Sequence, residues 1–197
     1  MKFTKSLKDC TIFVGIDQSI NSTGYYIKYP CEGEIAVDKG LIKPGSRREG
    51  ARLKYIFDKI TRLLEGFNGP EVSLCMEGYA YDYRKGRVFE LGEVGGVVKL
   101  CCQILGINAT PVPPTELKKF VTGRGSATKK KMMVFTGEKQ DDMADAKGLA
   151  MIAEELVVRK ATKRHQLEVI SNCIKNNQTA TTTKGDRGRQ LKKLPRI

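Results

Sequence analysis

The sequence predicts an α/β protein, with one mixed five-stranded sheet and helices on both faces. Three observations in its 197 residues predict it. Three strand-like runs come first, joined by short polar links that suit an antiparallel meander. Helical spacings then alternate with two further short apolar runs, the order expected of strands joined by crossover helices. The chain is long enough for one core of ordinary size plus a tail.

The elements follow in order. Residues 11–17 are almost continuously apolar and end on Asp17. Residues 23–29 carry β-branched and aromatic side chains, and residues 35–42 are strand-like apart from Gly40. Ser46, with Glu49 three residues on, has the form of a capping box that starts a helix. Leu53, Ile56, Phe57, Ile60, Leu63 and Leu64 then recur at helical spacing. Gly66 and Gly69-Pro70 close that helix, and a second apolar run, 72–77, ends on Glu77. Residues 79–86 read as a loop. Val88, Leu91, Val94, Val98 and Leu105 mark the next helix, with Gly92, Gly95 and Gly96 giving it a thin face. A short strand near 109–112 leads through Pro113 and Pro114 into a brief helix ending at Phe120. Residues 122–131 form a basic, glycine-bearing loop that runs into another helical segment. The last helix begins near Asp142, with Ala146, Leu149, Ala150, Ala153, Leu156 and Val157 as its apolar stripe. From about residue 161 the pattern fades. Residues 161–197 therefore read as a basic, partly disordered tail, in which Lys184, Arg187, Arg189, Lys192, Lys193 and Arg196 face a single acid, Asp186.

Charge bounds the partners. Lys and Arg outnumber Asp and Glu 35 to 22, a formal net charge of +13, which favours nucleic acid or another polyanion. No basic amphipathic helix with an aromatic face argues for a membrane surface, and no apolar run approaches a membrane span of about 20 residues. The N-terminus is too short and polar for a secretory signal, so a cytoplasmic chain is expected. The six cysteines show no C-x-x-C spacing, and His165 is the only histidine, which disfavours a zinc site or a Cys–His catalytic pair.

The chemistry rests on four acids. Asp17 and Glu77 each end an apolar run, and a carboxylate at the mouth of a buried strand is costly without positive compensation. Asp142 and Asp145 sit at i, i+3 in the first turn of a helix, on one face and about 5–6 Å apart. Asp141 competes with Asp142, because 141 and 145 also share a face at i, i+4. Singly, each acid is as well explained by a cap or a turn. Together they reinforce one another: Asp17 and Glu77 would lie where such sheets collect ligands, the carboxyl ends of strands, if their strands are parallel neighbours. Clustered carboxylates need cations, and an all-oxygen donor set selects Mg²⁺ or Mn²⁺. Two such ions ~3.5–4 Å apart can clamp a scissile phosphate. That chemistry hydrolyses a phosphodiester without His, Ser or Cys.

Several motifs occur in a telling order. They are Val14-Gly-Ile-Asp17-Gln-Ser-Ile-Asn-Ser-Thr23-Gly24, Met76-Glu77, Leu91-Gly92-x-x-x-Gly96, Thr115-Glu-Leu-Lys118, Gly123-Arg-Gly125-Ser-Ala-Thr-Lys129 and Asp142-x-x-Asp145-Ala146. Over roughly residues 11–158 this set resembles RuvC-type four-way-junction resolvases. The resemblance implies a ribonuclease H-like nuclease domain over residues 1–160, a homodimer, and Mg²⁺-dependent paired nicking of branched DNA. It implies Asp17, Glu77, Asp142 and Asp145 as metal ligands, with Lys118 and Lys129 near the scissile phosphates. Gln18 stands where many relatives have proline, a variant associated with phage-like members, whose setting would be the host cytoplasm. Lys147-Gly148 interrupts the small-apolar run usual after the last Asp, so a less regular final helix is expected.

Lys118, Lys119, Arg124 and Lys129–Lys131 suit phosphate contacts, which position DNA without reading its sequence. Tyr79, Tyr81 and Tyr83 alternate just after Glu77, and Tyr83 is a candidate to stack on a base exposed at a crossover. The Gly123–Lys129 stretch lacks the spacing of a nucleotide-binding phosphate loop, and no nucleotide cofactor is expected. Three rival functions remain. Sugar kinases and actin-like ATPases share the first motif but need two such domains. A non-catalytic nucleic-acid module and an RNA–DNA hybrid nuclease could both use the same fold.

Overall fold

The computed structural model describes residues 12–78 and 88–181. The first three strands are β1 (Ile12–Asp17), β2 (Thr23–Cys31) and β3 (Glu34–Ile42). They form an antiparallel meander. The β2–β3 connection is two residues, Glu32 and Gly33, with φ of 50° and 86°. Both lie in the left-handed region that lets a two-residue hairpin follow the strand twist. The chain then forms α1 (Glu49–Leu64), β4 (Val72–Glu77), α2 (Val88–Ile104) and β5 (Asn108–Val112). β4 runs parallel to β1, and β5 parallel to β4, giving the order β3-β2-β1-β4-β5. Pro111 is tolerated inside β5 because β5 is an edge strand, where a missing N–H need not cost a ladder bond. The helices α3 (Pro114–Thr122), α4 (Lys129–Thr136), α5 (Asp141–Val158) and α6 (Arg164–Thr181) complete the fold.

Two cores flank the sheet. On one face Ile56, Ile60 and Leu64 of α1 meet Val94, Val98, Cys101 and Cys102 of α2 over Val14, Ile16 and Leu74. On the other, Leu117, Phe120, Met132, Leu149, Ile152 and Leu156 pack with Cys75 and Val112. The cysteines at 75, 101 and 102 are buried, free and part of these cores. Every residue of β1 is buried, which explains its unbroken apolar reading. Among the described residues no helix is long and apolar enough to cross a membrane.

Three sequence expectations differ from the fold. The first helix does not start at Ser46: α1 begins at Glu49 after Arg48, with no side-chain cap. Gly45 turns the chain at φ 66° and the Arg47 guanidinium donates to the Pro44 carbonyl at 2.8 Å, so residues 44–47 are consumed by a tight turn. The Lys147-Gly148 pair does not disturb α5, which is continuous from Asp141 to Val158. Gly148 is there because a Cβ would lie 2.8 Å from Leu117 and 2.9 Å from Val121 on α3. Finally, α6 occupies residues assigned to the tail, with Val169, Ile170 and Cys173 buried in the second core. Its apolar positions are few and spread among polar ones, so its period is faint. The tail residues 182–197 lie outside the described residues.

One close approach positions the site. A Cβ on Gly15 would sit 1.9 Å from the Ala146 carbonyl oxygen and 2.5 Å from the Ala150 nitrogen. Helix α5 therefore lies directly on β1, which only glycine opposite alanine permits. We expect Gly15→Ala to push α5 off the sheet and lower stability by about 1–3 kcal/mol, read from urea denaturation. An unchanged midpoint would show that this contact does not set the helix position.

Candidate active site

Asp17 and Glu77 end β1 and β4, parallel neighbours whose last paired residues are Ile16 and Met76. Their side chains therefore leave the sheet side by side at its carboxyl edge. Helix α5 brings its first turn over the same point. A Cβ on Gly24, the residue paired with Asp17, would lie 2.2 Å from the Asp142 carbonyl oxygen. Strand ends and helix start thus converge because two glycines, 15 and 24, let α5 press onto β1 and β2.

The convergence has an electrostatic signature. Asp17 is only 7% exposed. Burial pushes its carboxyl well above the usual range, and Glu77, Asp145 and Asp142 push it further. Glu77 is raised by burial and by Asp145, and lowered by its hydrogen bond with Asp17 and by Lys118 and Lys129. The Asp17 and Glu77 carboxyls are hydrogen-bonded to each other. Burial also lifts Asp145 to about 6, against the pull of Lys118 and Lys129. The structure thus brings together all four acids singled out by sequence, together with both lysines.

Asp141 has a different setting from Asp142. Its carboxylate receives a hydrogen bond from the Lys129 ammonium, which holds Asp141 below the usual range and Lys129 above it. Asp142, not Asp141, is among the charges acting on Asp17. Lys129 opens α4 behind the cap of Thr128, whose hydroxyl accepts from the Lys131 amide. Arg124 and Lys130 are exposed, in the α3–α4 loop and the first turn of α4. Tyr79, Tyr81 and Tyr83 lie outside the described residues.

Two features escaped the sequence reading. Gln18 is 3% exposed and its amide nitrogen donates to the Glu77 backbone carbonyl, tying the ends of β1 and β4. Glu138, also buried, accepts from Lys39 at 2.9 Å and pairs with Lys147 at 3.4 Å. Lys147 in turn donates to the Thr136 carbonyl at 2.6 Å, so these groups brace the α4–α5 turn and with it the acid-bearing first turn of α5. The departure noted at Lys147 was the available signal. Its partner, 9 residues earlier, gave none.

The residues fit a hard divalent cation. The donors are carboxylate oxygens, their charge is buried, and Asp145 Oδ1 is a buried oxygen with no hydrogen-bond partner. Among the described residues no three His, Cys, Asp or Glu side chains already stand as a complete ligand set.

Comparison with known proteins decides the family. The model of the family described as crossover junction endodeoxyribonuclease RuvC matches residues 13–153. The chain belongs to the RuvC family. A RuvC of Dictyoglomus thermophilum is 31% identical over 150 residues, covering 71% of this chain and 94% of the relative. A RuvC of Brevibacillus brevis is 32% identical over 127 residues, covering 60% and 72%. The structure of T. thermophilus RuvC in complex with Holliday junction substrate superposes with a TM-score of 0.59 at 20% identity. That match covers 72% of this chain and 91% of the other, and it shows the shared fold, the ribonuclease H-like sheet expected from sequence. The RuvC match ends inside α5, and α6 lies beyond the matched segment.

Proposed function

We propose that this RuvC family member is a metal-dependent endodeoxyribonuclease that resolves four-way DNA junctions by paired phosphodiester hydrolysis. One observation carries the reading: four acids from β1, β4 and α5 converge at the sheet's carboxyl edge in a chain of this family. In this reading Asp17, Glu77, Asp142 and Asp145 hold two Mg²⁺ ions, or Mn²⁺ in their place. Bound there, the ions supply an activated water and charge neutralisation at the leaving oxygen. Lys118 and Lys129 place positive charge beside the acids, where a phosphate approaching the site is attracted and oriented. Arg124 and Lys130 extend that basic surface along the DNA backbone, and Tyr83 stacks on a base at the crossover.

Resolution needs two symmetric cuts, which a two-fold dimer supplies. Helix α2 supports such a contact. Phe89, Leu100 and Ile104 are exposed on it, and Gly92 and Gly96 face open space. Free, core-packed cysteines fit a cytoplasmic setting, the host's if the chain is phage-encoded.

Substrate choice is tested by giving the protein a four-way junction and an RNA–DNA hybrid of equal length with Mg²⁺. Faster cutting of the junction is expected; cuts confined to the hybrid would keep the metal site and replace the substrate. For Lys129→Ala the log–log salt slope of junction binding should flatten by about 0.9, the value of one phosphate contact. A slope equal to the wild type's would remove Lys129 from the DNA backbone.

A further inference from the structure

Gln18 follows Asp17 directly, at the point where the chain leaves β1. The parallel ladder between β1 and β4 stops at Ile16 and Met76, so the Glu77 carbonyl has no backbone donor across from it in β1. The Gln18 side chain takes that rung, its Nε2 donating to the Glu77 carbonyl. This bond fixes the carboxamide's orientation, because only the nitrogen end can face a carbonyl oxygen. Oε1 then has a defined direction as well, and it is buried without any hydrogen-bond partner. The side chain as a whole is only 3% exposed.

A buried acceptor left unpaired is rare and costly. Here it sits one residue from the most deeply buried acid of the cluster, on a side chain anchored to the backbone of a second acid. Asp145 Oδ1 is orphaned in the same way at the same edge of the sheet. Two buried acceptors with nothing to accept from are what a site leaves when its own contents, water included, would complete it.

We propose that Gln18 is a positioning residue of the nuclease site: Nε2 holds Glu77 in place through its carbonyl, and Oε1 accepts a hydrogen bond from a water molecule in the site. The inference rests on the nuclease reading above and adds to it a neutral group that orients water among the acids. An acceptor suits this task because a water that donates to it must point its oxygen away from Gln18. A carboxylate at the same place would add a fifth negative charge, whereas a carboxamide adds none. The planar amide couples the two functions, so any shift of the β4 end moves Oε1 with it.

The test uses Gln18→Met, which keeps the shape without either polar end, and Gln18→Asn, which is too short to bridge. Four readouts separate the roles: single-turnover junction cleavage, junction affinity in EDTA, melting temperature in EDTA, and Mn²⁺ affinity by calorimetry. Cleavage and Mn²⁺ affinity are expected to fall about 10- to 100-fold in both variants, the range for groups that orient ligands from behind. Junction affinity should hold. The melting temperature of Gln18→Met should stay near the wild-type value, since one orphaned buried oxygen is removed while the Glu77 carbonyl loses its donor. A purely structural glutamine would instead lower the melting temperature and leave cleavage per folded molecule at the wild-type rate, and that pattern would overturn the inference. Wild-type cleavage and Mn²⁺ affinity in Gln18→Asn alone would overturn it too. Wild-type protein that neither binds Mn²⁺ nor cuts a junction would overturn the nuclease reading and this inference together.

Discussion

Asp17→Asn is expected to abolish junction cleavage, leave junction affinity near the wild-type value, and raise the melting temperature of the metal-free protein. The three effects share one cause. Asp17 is buried beside Glu77, Asp145 and Asp142, and its carboxyl is held far above its usual range. An isosteric amide removes the cost of burying a charge and the repulsion from its neighbours, so the fold gains. The same change removes an anionic oxygen from the cation's donor set. The rate loss should exceed the roughly 10- to 100-fold seen for groups acting from behind the ligands. DNA affinity comes mainly from phosphate contacts by basic side chains elsewhere on the surface, so it is spared. Single-turnover cleavage, gel shift in EDTA and calorimetry read the three effects. Wild-type nicking by the variant would end the assignment of Asp17 to the metal site.

The second large effect is a stability that depends jointly on pH and divalent cation. Asp17, Glu77 and Asp145 all ionise at higher pH in the fold than in an unfolded chain, Asp145 at about 6. The metal-free fold is therefore most favoured below the ordinary carboxylate range, and that advantage is lost as pH rises through about 6. For Asp145, with its partial exposure discounted, the loss is about 1–2 kcal/mol. Melting temperature in EDTA should fall between pH 5 and pH 8. Added Mg²⁺ should restore it at pH 8 and do little at pH 5, where protons hold the same oxygens. A Mg²⁺ response equal at both pH values would mean that the ion does not compete for these carboxylates.

Much of this was legible because the residues that build the site also obey local rules. Asp17 and Glu77 could be found because each ends a strand buried on both faces, where apolar residues run without a break until the acid. Asp142 and Asp145 could be found because a pair three residues apart near a helix start shares a helix face. Spacing favours neither Asp142 nor Asp141, since both pairings with Asp145 are helical. What separates them in the fold is Lys129, 12 residues before Asp141, which engages Asp141. Gln18, the Glu138–Lys147 brace and α6 were hidden for the same reason: each depends on partners distant in sequence. Ser46 misled because a capping box specifies a helix start only where the preceding turn leaves room for one. Here the Pro44–Arg47 hydrogen bond pre-empts it.

The central claim is that these four acids make a metal-dependent site for a branched DNA. Its most direct test incubates the purified protein with an end-labelled immobile four-way junction and a matched duplex, with and without Mg²⁺. Paired, symmetric nicks near the crossover, dependent on Mg²⁺ and absent from the duplex, are the predicted result. Nicks that persist in EDTA, or that fall equally on the duplex, would contradict it.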